Sequence, residues 1–211
     1  MRLRNLNLTA MVAMAALSMF TPQAHAAGGP LGIDHEWNYD NSGIWSTSTQ
    51  STLEYSLVAL ELAGALWEGG DTRFGRTLWK SIDSSVAASI TTEILKKGFS
   101  RRRPIDGNDP DAWFKGGSND SFPSGEVTLI SSIVTPVVLE YGHDYPAVYA
   151  LELLPAYAAV GRLKTQQHWQ TDVITGFAIG TLWGYYAHSR DNPFILSLLP
   201  GGFEVGIKKR F

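Results

Sequence analysis

An all-α fold, a helical bundle of about five to seven helices, is what this sequence predicts, and three observations lead there. Apolar residues recur at helical spacing through several long segments. Capping residues precede those segments, and glycines or prolines follow them. No two-residue alternation occurs before Phe203, so the only β element expected is a short C-terminal strand.

The elements run in order. Arg2 and Arg4 precede the apolar run from Met11 to Phe20, and Ala24-His25-Ala26 offers a small-x-small cleavage site. Residues 1–26 therefore read as a secretory signal peptide, with an uncleaved anchor as the alternative, and imply a periplasmic destination. Residues 27–44, rich in Gly, Asn and Asp, read as a surface arm. A helical domain is expected over 45–190. Ser46 or Thr47 can cap its first helix, which runs to about Trp67 with Leu53, Leu57, Leu60 and Gly64 on one stripe. Phe74, Leu78, Ile82, Val86, Ile90 and Ile94 recur every four residues and predict a second helix facing the core, with Lys96 in its last turn and Gly98 ending it. Arg101 to Ser121 is a long polar loop. A helix from Ser124 or Gly125 to Tyr141 carries Pro136 at its middle, and another from Tyr145-Pro146 toward Arg162 carries Pro155; both prolines predict kinks. The last helix spans Gln170 to His188. Residues 191–211 form a tail whose segment Phe203–Phe211 alternates as a strand does.

Composition narrows the function classes. A net charge of −3 provides no global basic field, so a nucleic-acid partner is not expected. The absence of cysteine excludes disulfides and thiolate metal sites. The apolar stretch from Val173 to Ala187 is shorter than the roughly 20 residues a membrane span requires. Glu54, Glu61, Asp83 and Glu93 would be costly in lipid, which favours a soluble domain or one in peripheral membrane contact.

Three stretches carry chemistry. His168 and Asp172 lie four apart, so on a helix the carboxylate can orient the imidazole and leave its other nitrogen free to attack. Lys96, Arg103 and Arg162 suit an anion, arginine by bidentate contact and lysine as a point charge. Pro123-Ser124-Gly125 places a hydroxyl and open backbone N–H groups at a helix N-terminus. Taken singly, each of these is as well explained by a structural hydrogen bond, a solvated charge or an ordinary cap.

In order and spacing, Lys-x6-Arg-Pro, Pro-Ser-Gly and Arg-x5-His-x3-Asp resemble the three-part signature of the PAP2 (type 2 phosphatidic acid phosphatase) superfamily. That superfamily includes bacterial class A acid phosphatases, lipid phosphate phosphatases and vanadium haloperoxidases. The resemblance runs from about Phe74 to His188. It implies that His168 is the nucleophile and forms a phosphohistidine, with Asp172 supporting it. Lys96, Arg103, Arg162, Ser124 and Gly125 would bind the phosphoryl oxygens, and water would release phosphate with no metal and no cofactor.

Two positions depart from the pattern. Gly161 stands where the family usually has serine, and Glu126 where it has the histidine that protonates the leaving group. Glu126 reads either as a substitute acid or as a carboxylate paired with an active-site arginine. The implied activity is hydrolysis of phosphomonoesters or pyrophosphates on a small molecule or a lipid, with Arg101-Arg102 available to anionic headgroups. The alternatives are a vanadate-dependent haloperoxidase and a phosphate- or phospholipid-binding envelope protein without turnover. Asp106, Asn108, Asp109 and Asp111 lack the glycine and glutamate placement of a calcium loop and read as a solvated turn. Trp113 and Phe114 read as a substrate mouth or as loop packing.

Overall fold

The computed structural model describes residues 28–195; the expected signal peptide and strand-like Phe203–Phe211 segment lie outside them. Five α-helices build the described region: α1 (Thr47–Glu68), α2 (Arg73–Phe99), α3 (Gly125–Tyr141), α4 (Leu153–Lys164) and α5 (Gln170–Ser189). Short 3-10 turns lie at Gly43–Trp45, Pro104–Asp106 and Pro146–Glu152. Among the described residues there is no strand, only one isolated bridge between Gly28 and Asp34. The all-α expectation holds.

Local chemistry sets the helix starts. The Ser46 hydroxyl accepts the Thr49 N–H at 3.2 Å and caps α1; the Thr72 hydroxyl accepts the Gly75 N–H at 2.9 Å and caps α2. Pro155 does not kink a long helix. A 3-10 turn covers Pro146–Glu152, and Pro155 falls in the first turn of α4, where its missing N–H breaks no helical bond.

The apolar stripe predicted for α2 is corrected by the structure. Leu78 and Ile82 are buried, but Val86, Ile90 and Ile94 are exposed. A step of four residues overshoots the 3.6-residue turn by about 40°, so the stripe winds off the core face. That face continues instead through Ser85, Ala88, Thr92 and Lys96. On α1 Leu60 is likewise exposed, and Gln50, Glu61 and Ala65 point inward.

Helix α3 is central and packs against α2, α4 and α5. Its Val127, Ile130, Val134 and Val138 meet Ala158, Ala159 and Leu163 of α4 and Val173 of α5. Its buried hydroxyls are satisfied locally: Thr128, Ser131 and Thr135 each donate to the carbonyl four residues back, at 2.8, 2.7 and 2.8 Å. Small residues let α3 and α5 approach closely. A Cβ at Gly176 would lie 2.6 Å from the Ser124 carbonyl oxygen, and one at Gly180 would lie 2.3 Å from that of Thr128. This contact holds the start of α3 against the start of α5, where Ser124 N–H donates to the Asp172 carbonyl at 3.0 Å. The two ends that carry Pro-Ser-Gly and His-x3-Asp are thereby locked together.

Candidate active site

The long loop between α2 and α3 is stapled at its base. Arg102 N–H donates to Ala112 O at 3.0 Å, Phe114 N–H to Phe99 O at 2.8 Å, and Ser121 N–H to Arg101 O at 3.0 Å. Phe99, Trp113 and Phe122 pack edge to face beneath it, so Trp113 serves packing, while Phe114 is exposed. These bonds hold Arg103, Asp120 and Ser121 over the junction of α2, α3 and α5.

His168 is buried just before α5. Its Nδ1 lies 2.7 Å from the Ser121 carbonyl oxygen. A carbonyl only accepts, so Nδ1 carries the proton and Nε2 keeps the lone pair. Burial pushes the imidazole pKa down to about 4; Asp172 opposes this, while Arg103 and Lys96 add to it. The ring is therefore neutral, and nucleophilic at Nε2, across most of the accessible pH range.

Asp172 does not orient the ring directly, as the four-residue spacing led one to expect. Its Oδ2 is 3.8 Å from His168 Nδ1, outside hydrogen-bond reach. That oxygen instead accepts the Ser121 hydroxyl at 2.5 Å and the Trp169 N–H at 2.9 Å, the latter in the position of a capping-box carboxylate. Asp172 thus fixes Ser121, and Ser121 fixes His168. Burial acts to raise the Asp172 pKa, but His168, Arg101 and Ser121 together hold it below the usual carboxylate range.

Arg101 is the residue that the sequence placed wrongly. It is fully buried rather than offered to headgroups. Nη1 donates to Asp172 Oδ1 at 2.6 Å and to Thr171 Oγ1 at 2.8 Å; Nη2 donates to Asp34 Oδ2 at 2.6 Å. Its guanidinium carbon lies 4.2 Å from the Trp113 ring centroid. Asp34 comes from the supposed surface arm, which is anchored here: it accepts the Thr171 N–H at 2.8 Å and the Thr171 hydroxyl at 2.6 Å. Nothing in the sequence sets Asp34 apart from Glu36 and Asp40 in the same segment, so no pattern pointed to it.

The cations divide. Lys96 and Arg103 gather beside His168 and act on its charge. A Cβ on Gly125 would lie 3.5 Å from Lys96 Cε, so the N-terminus of α3 joins the same pocket. The Ser124 hydroxyl is buried there and makes no hydrogen bond among the described residues. Burial lowers the Lys96 pKa, with Asp120 opposing. Arg162, in the last turn of α4, forms a close ion pair with Glu126 Oε2 instead. Glu126 is buried, and burial raises its pKa to about 7 against the pull of Arg162. Both readings of the glutamate therefore keep a physical basis: it is paired with arginine, and it is a carboxyl that binds a proton near neutrality.

Asp120 was not singled out by sequence reasoning. Arg103 Nε donates to its Oδ1 at 2.9 Å, with Nη2 also 2.9 Å from that oxygen. Lys96 Nζ lies 3.6 Å from Oδ2 and donates to the Asp120 carbonyl at 2.6 Å. Burial acts to raise its pKa, and the two cations overcome this, so the carboxylate stays ionised. An acidic residue four positions before Ser124, opposite a cationic set, was the signal available. Gly161 also finds its reason: a Cβ there would lie 2.5 Å from Cδ of the buried Gln50, whose amide fills the space a serine would use. Among the described residues, no group of three or more His, Asp and Glu side chains is disposed to hold a metal.

The chain is similar to the "Lipid A 1-phosphatase" of Porphyromonas gingivalis, 24% identical over 152 residues, which cover 71% of this chain and 32% of that protein. The chain thus spans about a third of the length of that relative. No solved structure matches it significantly. Residues 77–194 match the PAP2 superfamily, a stretch that takes in Lys96, Arg103, the Ser124-Gly125 turn, Arg162, His168 and Asp172. With more than half the chain matched and the signature residues inside the match, the protein belongs to the PAP2 superfamily.

Proposed function

We propose that this protein is a phosphatase that removes a terminal phosphate from a lipid-carried phosphomonoester or pyrophosphate through a phosphohistidine at His168. The observation that carries the reading is a neutral imidazole, protonated on Nδ1 by its bond to Ser121, held beside Lys96 and Arg103. Those cations and the N-terminus of α3 neutralise the phosphoryl oxygens. Nε2 attacks phosphorus, the bond to the leaving oxygen breaks, and the protonated Glu126 carboxyl supplies that oxygen with a proton. Water then attacks phosphorus, giving a proton to Glu126, and the phosphorus–nitrogen bond breaks with its electron pair returning to Nε2, so that phosphate leaves and His168 is neutral again.

A lipid substrate is supported by the surface. Leu60, Leu66 and Trp67 on α1, Val86, Ile90 and Ile94 on α2, and Leu182 and Tyr186 on α5 are exposed. A cleft of about 420 Å³ between α2 and α5 is lined by Val86, Ile90, Trp183, Tyr186, Phe194 and Ile195. No helix among the described residues is long and apolar enough to cross a membrane. Peripheral contact with lipid from the periplasmic side fits both this surface and the leader-like first 26 residues. The test is turnover by purified protein of a polyprenyl pyrophosphate and a lipid phosphomonoester in mixed micelles, beside p-nitrophenyl phosphate. Faster release from the lipids is expected. Binding of phospholipid with no release from any substrate would point to the non-catalytic alternative.

The pH profile follows from the same two groups. His168 is deprotonated above about pH 4, and Glu126 is protonated below about pH 7, so kcat/KM on a poor leaving group should form a bell between those limits. In Glu126→Gln the alkaline limb should vanish, and alkyl phosphates should lose about 100-fold while p-nitrophenyl phosphate loses far less. Equal losses on both would exclude the acid role.

A further inference from the structure

We propose that Asp120 is a specificity-determining residue: an internal carboxylate standing on the cations that bind substrate, which an incoming phosphoryl group must displace. The proposal rests on the reading of the pocket as a phosphate site. Its carboxylate makes the contacts a phosphoryl group would make, Oδ1 on two nitrogens of Arg103 at 2.9 Å and Oδ2 within 3.6 Å of Lys96 Nζ. Layering supports displacement. The Asp120 side chain is 47% exposed, against 20% for Arg103 and 10% for Lys96, so the carboxylate is the outer layer over the cations. Asp34 and Asp172, by contrast, are fully buried and tied by several bonds each.

The main chain around Asp120 is held independently of its carboxylate, by Lys96 on its carbonyl and by the Ser121 N–H on Arg101 O at 3.0 Å. The side chain can therefore swing away without unfolding the loop. A half-exposed ion pair is weak, so a doubly charged phosphoryl group outcompetes it, whereas a singly charged phosphodiester or carboxylate gains little. Asp120 thus selects terminal phosphomonoesters and eases release of phosphate.

Calorimetric titration of the purified protein with inorganic phosphate tests this in the wild type, Asp120→Asn, Asp120→Ala and Arg103→Ala. Asp120→Asn keeps the shape and removes the charge. Both Asp120 variants should bind phosphate about tenfold more tightly, and their preference for p-nitrophenyl phosphate over bis(p-nitrophenyl) phosphate should fall. Weaker or unchanged binding in both, with wild-type binding still lost in Arg103→Ala, would make Asp120 a brace for the cations and overturn the proposal while leaving the pocket intact. Absence of phosphate binding in every protein, wild type included, would overturn both.

Discussion

His168→Ala is expected to abolish turnover, to below about a thousandth of the wild-type rate, while phosphate affinity changes by only a few fold. The two effects separate because the groups are separate. In the proposed mechanism Lys96, Arg103 and the start of α3 hold the anion, and Nε2 alone carries the attacking lone pair. Steady-state kinetics on p-nitrophenyl phosphate with a phosphate titration reads both quantities. A quenched reaction should also show an acid-labile, alkali-stable phosphoenzyme in the wild type and none in the variant. Activity near wild type in His168→Ala would remove the nucleophile assignment.

Arg101→Met is expected to destabilise the fold by about 3–5 kcal/mol, the largest structural effect at the site. Methionine matches much of the side chain's volume but leaves Asp34 and Asp172 buried without their shared cation. Lysine should not rescue, since one ammonium cannot reproduce a guanidinium fork that reaches two carboxylates and Thr171. Urea unfolding measures the loss, and adding Asp34→Asn to Arg101→Met should restore part of it by removing one stranded charge. A loss under about 1 kcal/mol would mean that water or protonation neutralises these carboxylates and that the network is not structural. Because Asp172 holds Ser121 and Ser121 holds the His168 ring, the variant should also lose kcat more than KM.

Much of the helix pattern was legible because it is local. The cap at Ser46, the helix start at Ser124-Gly125, and the limits of α3 and α5 depend on neighbours within a turn. The core face of α2 is not legible from apolar spacing, because apolar character there does not track burial. In this bundle the buried face of α2 carries Ser81, Ser84, Ser85 and Thr92, and apolar Val86, Ile90 and Ile94 face outward. Two of these hydroxyls return a hydrogen bond to a carbonyl, Ser81 across to Ile133 O at 3.0 Å and Ser85 to Ile82 O at 3.1 Å, while those of Ser84 and Thr92 make none among the described residues.

By itself the sequence determined the helical class, the family and which side chains fill the family's signature, because periodicity and spacing are written along one dimension. Only the tertiary structure decided who pairs with whom: Ser121 rather than Asp172 on the imidazole, Asp34 on Arg101, Glu126 on Arg162, and Asp120 over Lys96 and Arg103. The physical reason is that a charge or a hydrogen bond acts over a few ångströms of space, and a residue's place along the chain does not say which distant groups packing will bring that close.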